Sequence, residues 1–341
     1  MTSGAVPHQQ RAIVQTHYGS VRDVLTLSAT FPVRAPGAGE VQVHVRAAGV
    51  NPIDWQMIEG NRRLITPRGF PFTPLFDLAG VVTAVGTQVT DFRVGDRVHA
   101  DNASDGGGGS EYVNVRETLL AHSPAGLSFA QSAAIPLAAQ TALVCLERGQ
   151  VESATRVAVI GASGGVGHFA VQMARAAGAF VVGVASARNE DFVRSLGADE
   201  FIDRHDTDLM SRFGANSFDV VIDCVGGRAQ WMRARRVLCP GGRFVTIARD
   251  EDGVITPVSA ARLLSTITFR RLRGVGKQAI KYIPVFLEAS GILLQRVDRL
   301  VEQGQVHAHV ARSFPLTLAG IQAALEESRA GRTVGKLVLE R

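Results

Sequence analysis

At 341 residues, 46% of them hydrophobic and 20% charged, the chain is long for one domain and sufficient for two. The net charge of +5 comes from arginines that are dispersed apart from short clusters at Arg233–Arg236 and Arg270–Arg273. Only Lys277, Lys281 and Lys336 are lysines, and no aromatic interleaving accompanies the charge, which argues against a nucleic-acid surface. No apolar run is long enough to span a bilayer and no signal pattern opens the chain, so a cytoplasmic location without a membrane partner is expected. Cys145, Cys224 and Cys239 sit in apolar surroundings, which suits a reducing compartment better than a disulfide framework.

In chain order, residues 11–122 carry short β signals separated by Gly and Pro. Val41–Arg46 alternates with period two, Leu78–Val85 is a continuous β-rich run, and Asp96–Ala100 and Glu111–Val115 are shorter. From about residue 123 strands and helices alternate. The pattern predicts strands at 156–160, 180–185, 200–203, 218–223, 242–248 and 266–275. Helices are predicted at 129–149, 165–177, 188–196, 207–213 and 228–238. This grammar is that of an α/β doubly wound parallel sheet. A long amphipathic segment at 282–303 then leads to a strand at 308–314, a helix at 318–330 and a strand at 334–340.

The most informative stretch runs from Val157 to Gly167. An apolar strand enters the turn Ala162-Ser163-Gly164-Gly165-Val166-Gly167, and an apolar-periodic helix leaves it. A helix start presents unpaired N–H groups at the positive end of its dipole, which suits a pyrophosphate. Gly164 lets the backbone approach the phosphates and Gly167 lets helix and strand pack closely; alanine replaces the usual first glycine at Ala162. The next strand ends at Ala185, where an NAD site would place Asp or Glu for the ribose 2′-OH. Ser186 and Arg188 follow instead, and Arg204 closes the strand after that. These donors suit a 2′-phosphate, so NADPH is expected over NADH.

The β-rich module followed by this unit resembles the medium-chain dehydrogenase/reductase superfamily. The resemblance is carried by Ala47–Asp54, Asp77–Val82, Val94–Val98, Ala138–Ala142, the glycine turn, Leu196–Asp199 and Gly331–Leu339, which together span most of the chain. Within that superfamily the chain is similar to the zinc-independent quinone oxidoreductase and enoyl reductase branch. The resemblance implies a GroES-like catalytic domain at 1–122 and 305–341 and a Rossmann NADP-binding domain at 123–304.

No metal is expected. Catalytic zinc in the alcohol dehydrogenase relatives needs a thiolate where this chain has Asn51, and structural zinc needs four close cysteines where the loop Asp101–Ser110 has none. His307 and His309 are close to each other but lie on a predicted strand far along the chain from Asn51. Without a Lewis acid, an alkene conjugated to a carbonyl, or a quinone, is electrophilic enough to accept hydride. The resulting enolate needs a hydrogen-bond donor and then a proton.

The resemblance places the catalytic segment at Asn51, Asp54 and Gln56. Asn51 would donate to the substrate carbonyl or a ribose, and Asp54 would buttress the loop. Relatives often carry lysine or tyrosine at the position of Gln56; glutamine cannot supply a proton, although it can orient a carbonyl. Thr141 stands where relatives contact the nicotinamide end. Val225 and Ile247 end their strands at the carboxyl edge, where the nicotinamide ring would lie. Lys336 either approaches the cofactor or is an exposed lone lysine.

The expectation is therefore an NADPH-dependent reductase of an activated C=C bond in a small-molecule substrate. The alternatives are an NADPH:quinone reductase, or an NADPH-binding protein with a non-reducing biosynthetic or structural role. A β-branched strand at 266–275 would end the parallel sheet and offer a pairing edge, so a homodimer is expected.

Overall fold

The computed structural model describes residues 7–67, 69–103, 105–205, 209–248, 254–274, 276 and 278–341. They form two compact units.

The first unit comprises residues 1–137, 288–302 and 308–341. Its opening elements are β1 (Gln9–Gln15), α1 (Val21–Val24) and β2 (Leu25–Pro32), with β1 and β2 antiparallel. Then come β3 (Glu40–Val50), α2 (Pro52–Ile58), β4 (Asp77–Val85), β5 (Arg97–Asp101), β6 (Tyr112–Arg116), β7 (Leu120–His122) and α3 (Phe129–Ala133). Alternation is what closes this module. Val41, Val43 and Val45 point into a core shared with Leu78, Val82, Val98, Val115 and Leu120, all at most 1% exposed.

The second unit comprises residues 138–287 and 303–307. It is fed by α4 (Pro136–Gly149) and runs through β8 (Arg156–Ile160), α5 (Gly167–Ala176), β9 (Phe180–Ala185), α6 (Glu190–Ser195) and β10 (Glu200–Asp203). It continues with α7 (Leu209–Phe213), β11 (Phe218–Asp223), α8 (Arg228–Val237), β12 (Leu238–Thr246), α9 (Pro257–Arg273) and β13 (Lys281–Pro284). All six strands are parallel, in the order β10-β9-β8-β11-β12-β13. The order reverses between β8 and β11, which puts the switch point at the carboxyl end of β8, above the glycine turn. The chain returns to the first unit through α10 (Gly291–Glu302), β14 (Val310–Pro315), α11 (Leu318–Arg329) and β15 (Lys336–Glu340). There β15 pairs with β3, in a seven-stranded sheet ordered β14-β15-β3-β4-β5-β7 with β6 also on β3.

Several expectations are corrected. Residues 266–274 are not a strand: they belong to α9, and Val275 lies outside the described residues. Thr256 accepts from the Ser259 N–H at 3.1 Å and Pro257 takes the first helical position, so a capped helix forms despite the β-branched residues. The edge of the sheet is instead β13, which ends in Pro284, and the segment expected as one amphipathic run from 282 is divided there. Pro136 similarly splits the helix expected at 129–149 into α3 and α4. Part of the helix expected at 207–213 (residues 207 and 208) lies outside the described residues. The unit boundaries also differ from 122 and 305. α3 packs on β3 and β4, and α10 packs beside β7, so 123–137 and 288–302 belong with the first unit, while 303–307 belong with the second.

Candidate active site and cofactor cradle

In the second unit the left-handed turn residue is Gly161, at φ +81°, immediately before Ala162. Ala162 is fully buried and its N–H donates to the Val184 carbonyl at 3.0 Å, so it closes the turn from below. Gly164 donates to the Gly161 carbonyl at 3.0 Å. A Cβ on Gly167 would lie 2.1 Å from the Gly161 oxygen, so no side chain fits where α5 leaves the turn. No side chain caps α5; the His168 N–H donates to the Gly164 carbonyl at 3.0 Å, and the uncapped helix start at Gly165 and Val166 suits an anion. The Ser163 hydroxyl accepts from Asn189 Nδ2 at 2.9 Å, both residues being buried. Asn189 was not legible as a site residue; it ties the turn to the segment carrying Ser186 and Arg188.

Ala185 pairs with Asp203 across β9 and β10, and the Arg204 N–H donates to the Ala185 carbonyl at 2.8 Å. Ser186, Arg188 and Arg204 are thereby gathered at one strand end. Arg188 and Arg204 are exposed, and neither pairs with a carboxylate among the described residues. Asp203 accepts from the His205 N–H at 3.2 Å. An uncapped helix start and a cradle that a Cβ would fill fit the pyrophosphate of a nicotinamide dinucleotide.

Val225, which is exposed, and Ile247, half-buried, lie just beyond the carboxyl ends of β11 and β12. Asp223, nearly fully buried, organises this edge: it accepts from the Val225 and Gly226 N–H groups, both at 3.0 Å, and from the Thr246 hydroxyl at 3.2 Å. Thr141 is buried on α4.

The catalytic segment of the first unit is a buried polar network. Asn51 follows the last residue of β3 and caps α2, which Pro52 starts, so a strand end and a helix start meet at this residue. Asp54 accepts from the Asn51 N–H at 2.7 Å and the Phe76 N–H at 3.2 Å, and so ties the start of α2 to the strand end before it and to the segment leading into β4. Burial pushes its carboxyl up to about 7, against the pull of those two donors. Asn51 Nδ2 donates to Asp77 at 2.8 Å, and Asp77 also accepts from the Leu137 N–H at 2.9 Å. Gln56 is half-buried and its side-chain oxygen accepts from Arg62 Nε at 3.2 Å.

Lys336 is neither exposed nor alone. It is 2% exposed; its Nζ donates to the Val50 carbonyl at 3.0 Å and to the Asn51 side-chain oxygen, and stands 3.6 Å from Asp77. Asp101 lies opposite Asp77 in the β4–β5 register, and its Oδ1 is buried without a hydrogen-bond partner. Burial raises both carboxyls and lowers the Lys336 ammonium; the Lys336 charge opposes the rise at Asp77, while Asp77 and Asp54 drive Asp101 well above the usual carboxylate range. Asp77 and Asp101 escaped the sequence reading because they follow ordinary strand patterns, and only the fold sets them beside Asn51. Among the described residues no group of three His, Cys, Asp or Glu could hold a metal ion.

The alcohol dehydrogenase GroES-like domain family matches residues 37–136, and the zinc-binding dehydrogenase family matches residues 196–339. The chloroplast envelope quinone oxidoreductase homolog of Arabidopsis thaliana is 33% identical over 91% of this chain and 92% of its own length. The chain belongs to the medium-chain dehydrogenase/reductase superfamily. Its place there is in the quinone oxidoreductase and enoyl reductase-like group, so it is an oxidoreductase with a nicotinamide cofactor. A second relative in that superfamily, the chloroplastic NADPH-dependent alkenal/one oxidoreductase of Arabidopsis thaliana, is 29% identical over 98% of this chain and 80% of its own length. The solved structure of the quinone oxidoreductase from Coxiella burnetii superposes with a TM-score of 0.83 at 26% identity, covering 98% of this chain and 99% of that one.

Proposed function

We propose that this chain is a zinc-independent, NADPH-dependent reductase of α,β-unsaturated carbonyl compounds. The observation that carries the reading is Asn51: where zinc-dependent relatives need a thiolate, this chain has a neutral amide fixed between an ammonium and a carboxylate. NADPH, when bound, supplies hydride to the β-carbon of the substrate. The amides at the start of α5, with Gly164, Gly165 and Gly167, would hold its pyrophosphate, and Ser186, Arg188 and Arg204 its 2′-phosphate. Val225, Ile247 and Thr141 would border the nicotinamide. Asn51 donates an N–H to the substrate oxygen and stabilises the charge that develops there. Gln56 orients the carbonyl, and water delivers the proton to the α-carbon. The alkenal/one relative supports this substrate class.

The test is NADPH consumption against a panel of enals, enones, enoyl thioesters and quinones, with product masses. A product two mass units heavier with a saturated C=C supports the reading; turnover with quinones alone replaces it with a quinone reductase, which the names of the other relatives favour. Only Trp55, Phe70, Phe72 and Phe76 are placed in the chain to line a quinone pocket, and of these Phe76 is 3% exposed and belongs to the core. We also propose a cytoplasmic homodimer that uses the free edge of β13, with size-exclusion chromatography and light scattering as the check.

A further inference from the structure

The ammonium of Lys336 has three protons, and each has a neighbour within the first unit. Two donate to the Val50 carbonyl and to the Asn51 side-chain oxygen, and the third faces Asp77 Oδ2 at 3.6 Å. The same Asp77 oxygen accepts from Asn51 Nδ2 at 2.8 Å. The three side chains thus close a triangle in which Asn51 has its oxygen on the cation and its nitrogen on the anion. Turning the amide over would set N–H₂ against an ammonium and C=O against a carboxylate, so one orientation alone is tolerated. β15 delivers this geometry: Leu337 pairs with Val50, which places Lys336 beside the residue where β3 gives way to α2.

We propose that Lys336 and Asp77 are positioning residues that clamp the Asn51 amide, and that Lys336 serves this role in place of contacting the cofactor. The inference rests on Asn51 acting as the donor to substrate. Asp101 completes the arrangement. It lies opposite Asp77 across β4 and β5 with one carboxyl oxygen buried and unpartnered, so Asp77 is the carboxylate that meets both Lys336 and the Asn51 amide. The remaining Nδ2 proton then has a fixed direction, which is what a preorganised donor requires.

The test is a double-mutant cycle with Asn51→Ala, Lys336→Met and the pair, reading kcat, KM and NADPH Kd. Lys336→Met is expected to lower kcat by about tenfold or more while NADPH Kd stays within about twofold. The pair is expected to be no slower than Asn51→Ala alone, because both changes remove one function. Losses that multiply, or an NADPH Kd that rises in step with the fall in kcat, overturn the clamp while leaving the role of Asn51 intact. Full turnover by Asn51→Ala defeats the donor role itself, and the clamp with it. Should Lys336→Met not fold, Lys336→Met with Asp77→Asn removes both charges together; wild-type kcat in that variant overturns the clamp, and lowered kcat with unchanged NADPH Kd supports it.

Discussion

Asp77 and Asp101 face each other across an antiparallel strand pair, both essentially without solvent exposure, with Lys336 beside the first and no hydrogen bond to one oxygen of the second. Two carboxylates opposite each other in a dry sheet interior cannot both ionise cheaply; burial, with the charges of Asp77 and Asp54, pushes the Asp101 carboxyl well above the usual range, while Lys336 opposes the rise at Asp77.

That has a consequence for stability. A carboxyl whose folded pKa lies above its unfolded value stabilises the fold below the unfolded pKa, and this contribution is lost as pH rises towards the folded value. Asp101 is raised well above 3.8, and Asp54 from 3.8 to about 7. Stability should therefore fall as pH climbs from about 4 through neutrality, by at most about 1.4 kcal/mol per pH unit for each proton. Asp101→Asn, shaped like the protonated acid, is expected to match the wild type in thermal unfolding near pH 3, below the unfolded carboxyl pKa, and to exceed it near pH 8. A less stable variant at the higher pH would refute the protonated state.

The cofactor assignment predicts a selective loss. Ser186→Asp with Arg188→Ala should weaken NADPH binding by about tenfold or more, roughly 1.4 kcal/mol, with NADH affected far less. Fluorescence titration of both nucleotides is the measurement; equal losses for the two would place the 2′-phosphate elsewhere.

Gly167→Ala should fail at the turn itself. The new Cβ would lie 2.1 Å from the Gly161 carbonyl oxygen, and backbone must move to admit it. We expect destabilisation of about 2 kcal/mol or more together with loss of nucleotide binding, read by thermal unfolding and titration. Gly164→Ala, whose Cβ would meet that oxygen at 3.3 Å, should be milder.

Thr256→Ala removes the hydroxyl that accepts from the Ser259 N–H, and should cost about 1 kcal/mol of stability. Hydrogen exchange over residues 257–273 should speed up in the variant. Unchanged exchange there would contradict a helix held by this cap.

The parallel sheet and its glycine turn were legible because their signals are local. Ile160 runs straight into the turn, the helix follows at once, and strand limits such as 180–185 and 218–223 coincide with apolar runs. Residues 266–274 were misread because Thr266, Ile267 and Phe269 favour strands one by one. Their burial favours a helix: Leu263, Ile267 and Arg270 face inward at spacings of four and three, behind a cap placed ten residues before Thr266. Positive φ in the turn falls on Gly161, one residue before the motif's Ala162, because the motif spacing says where glycines recur and not which residue takes the left-handed conformation.

The amino-acid sequence by itself determined the strand–turn–helix cradle, the lack of a carboxylate at Ala185 and the lack of a thiolate at position 51, since each is a matter of residue type over a short span. Only the tertiary structure decided what Asn51 touches. Lys336 lies 285 residues further along the chain, and the Asn51 Nδ2 to Asp77 bond spans 26 residues. Neither contact could be read where the residues stood, because β15 and β4 read simply as strands. Pairing both with β3 removed water from the gap between them, and in that dry interior the ammonium, the carboxylate and the amide satisfy one another.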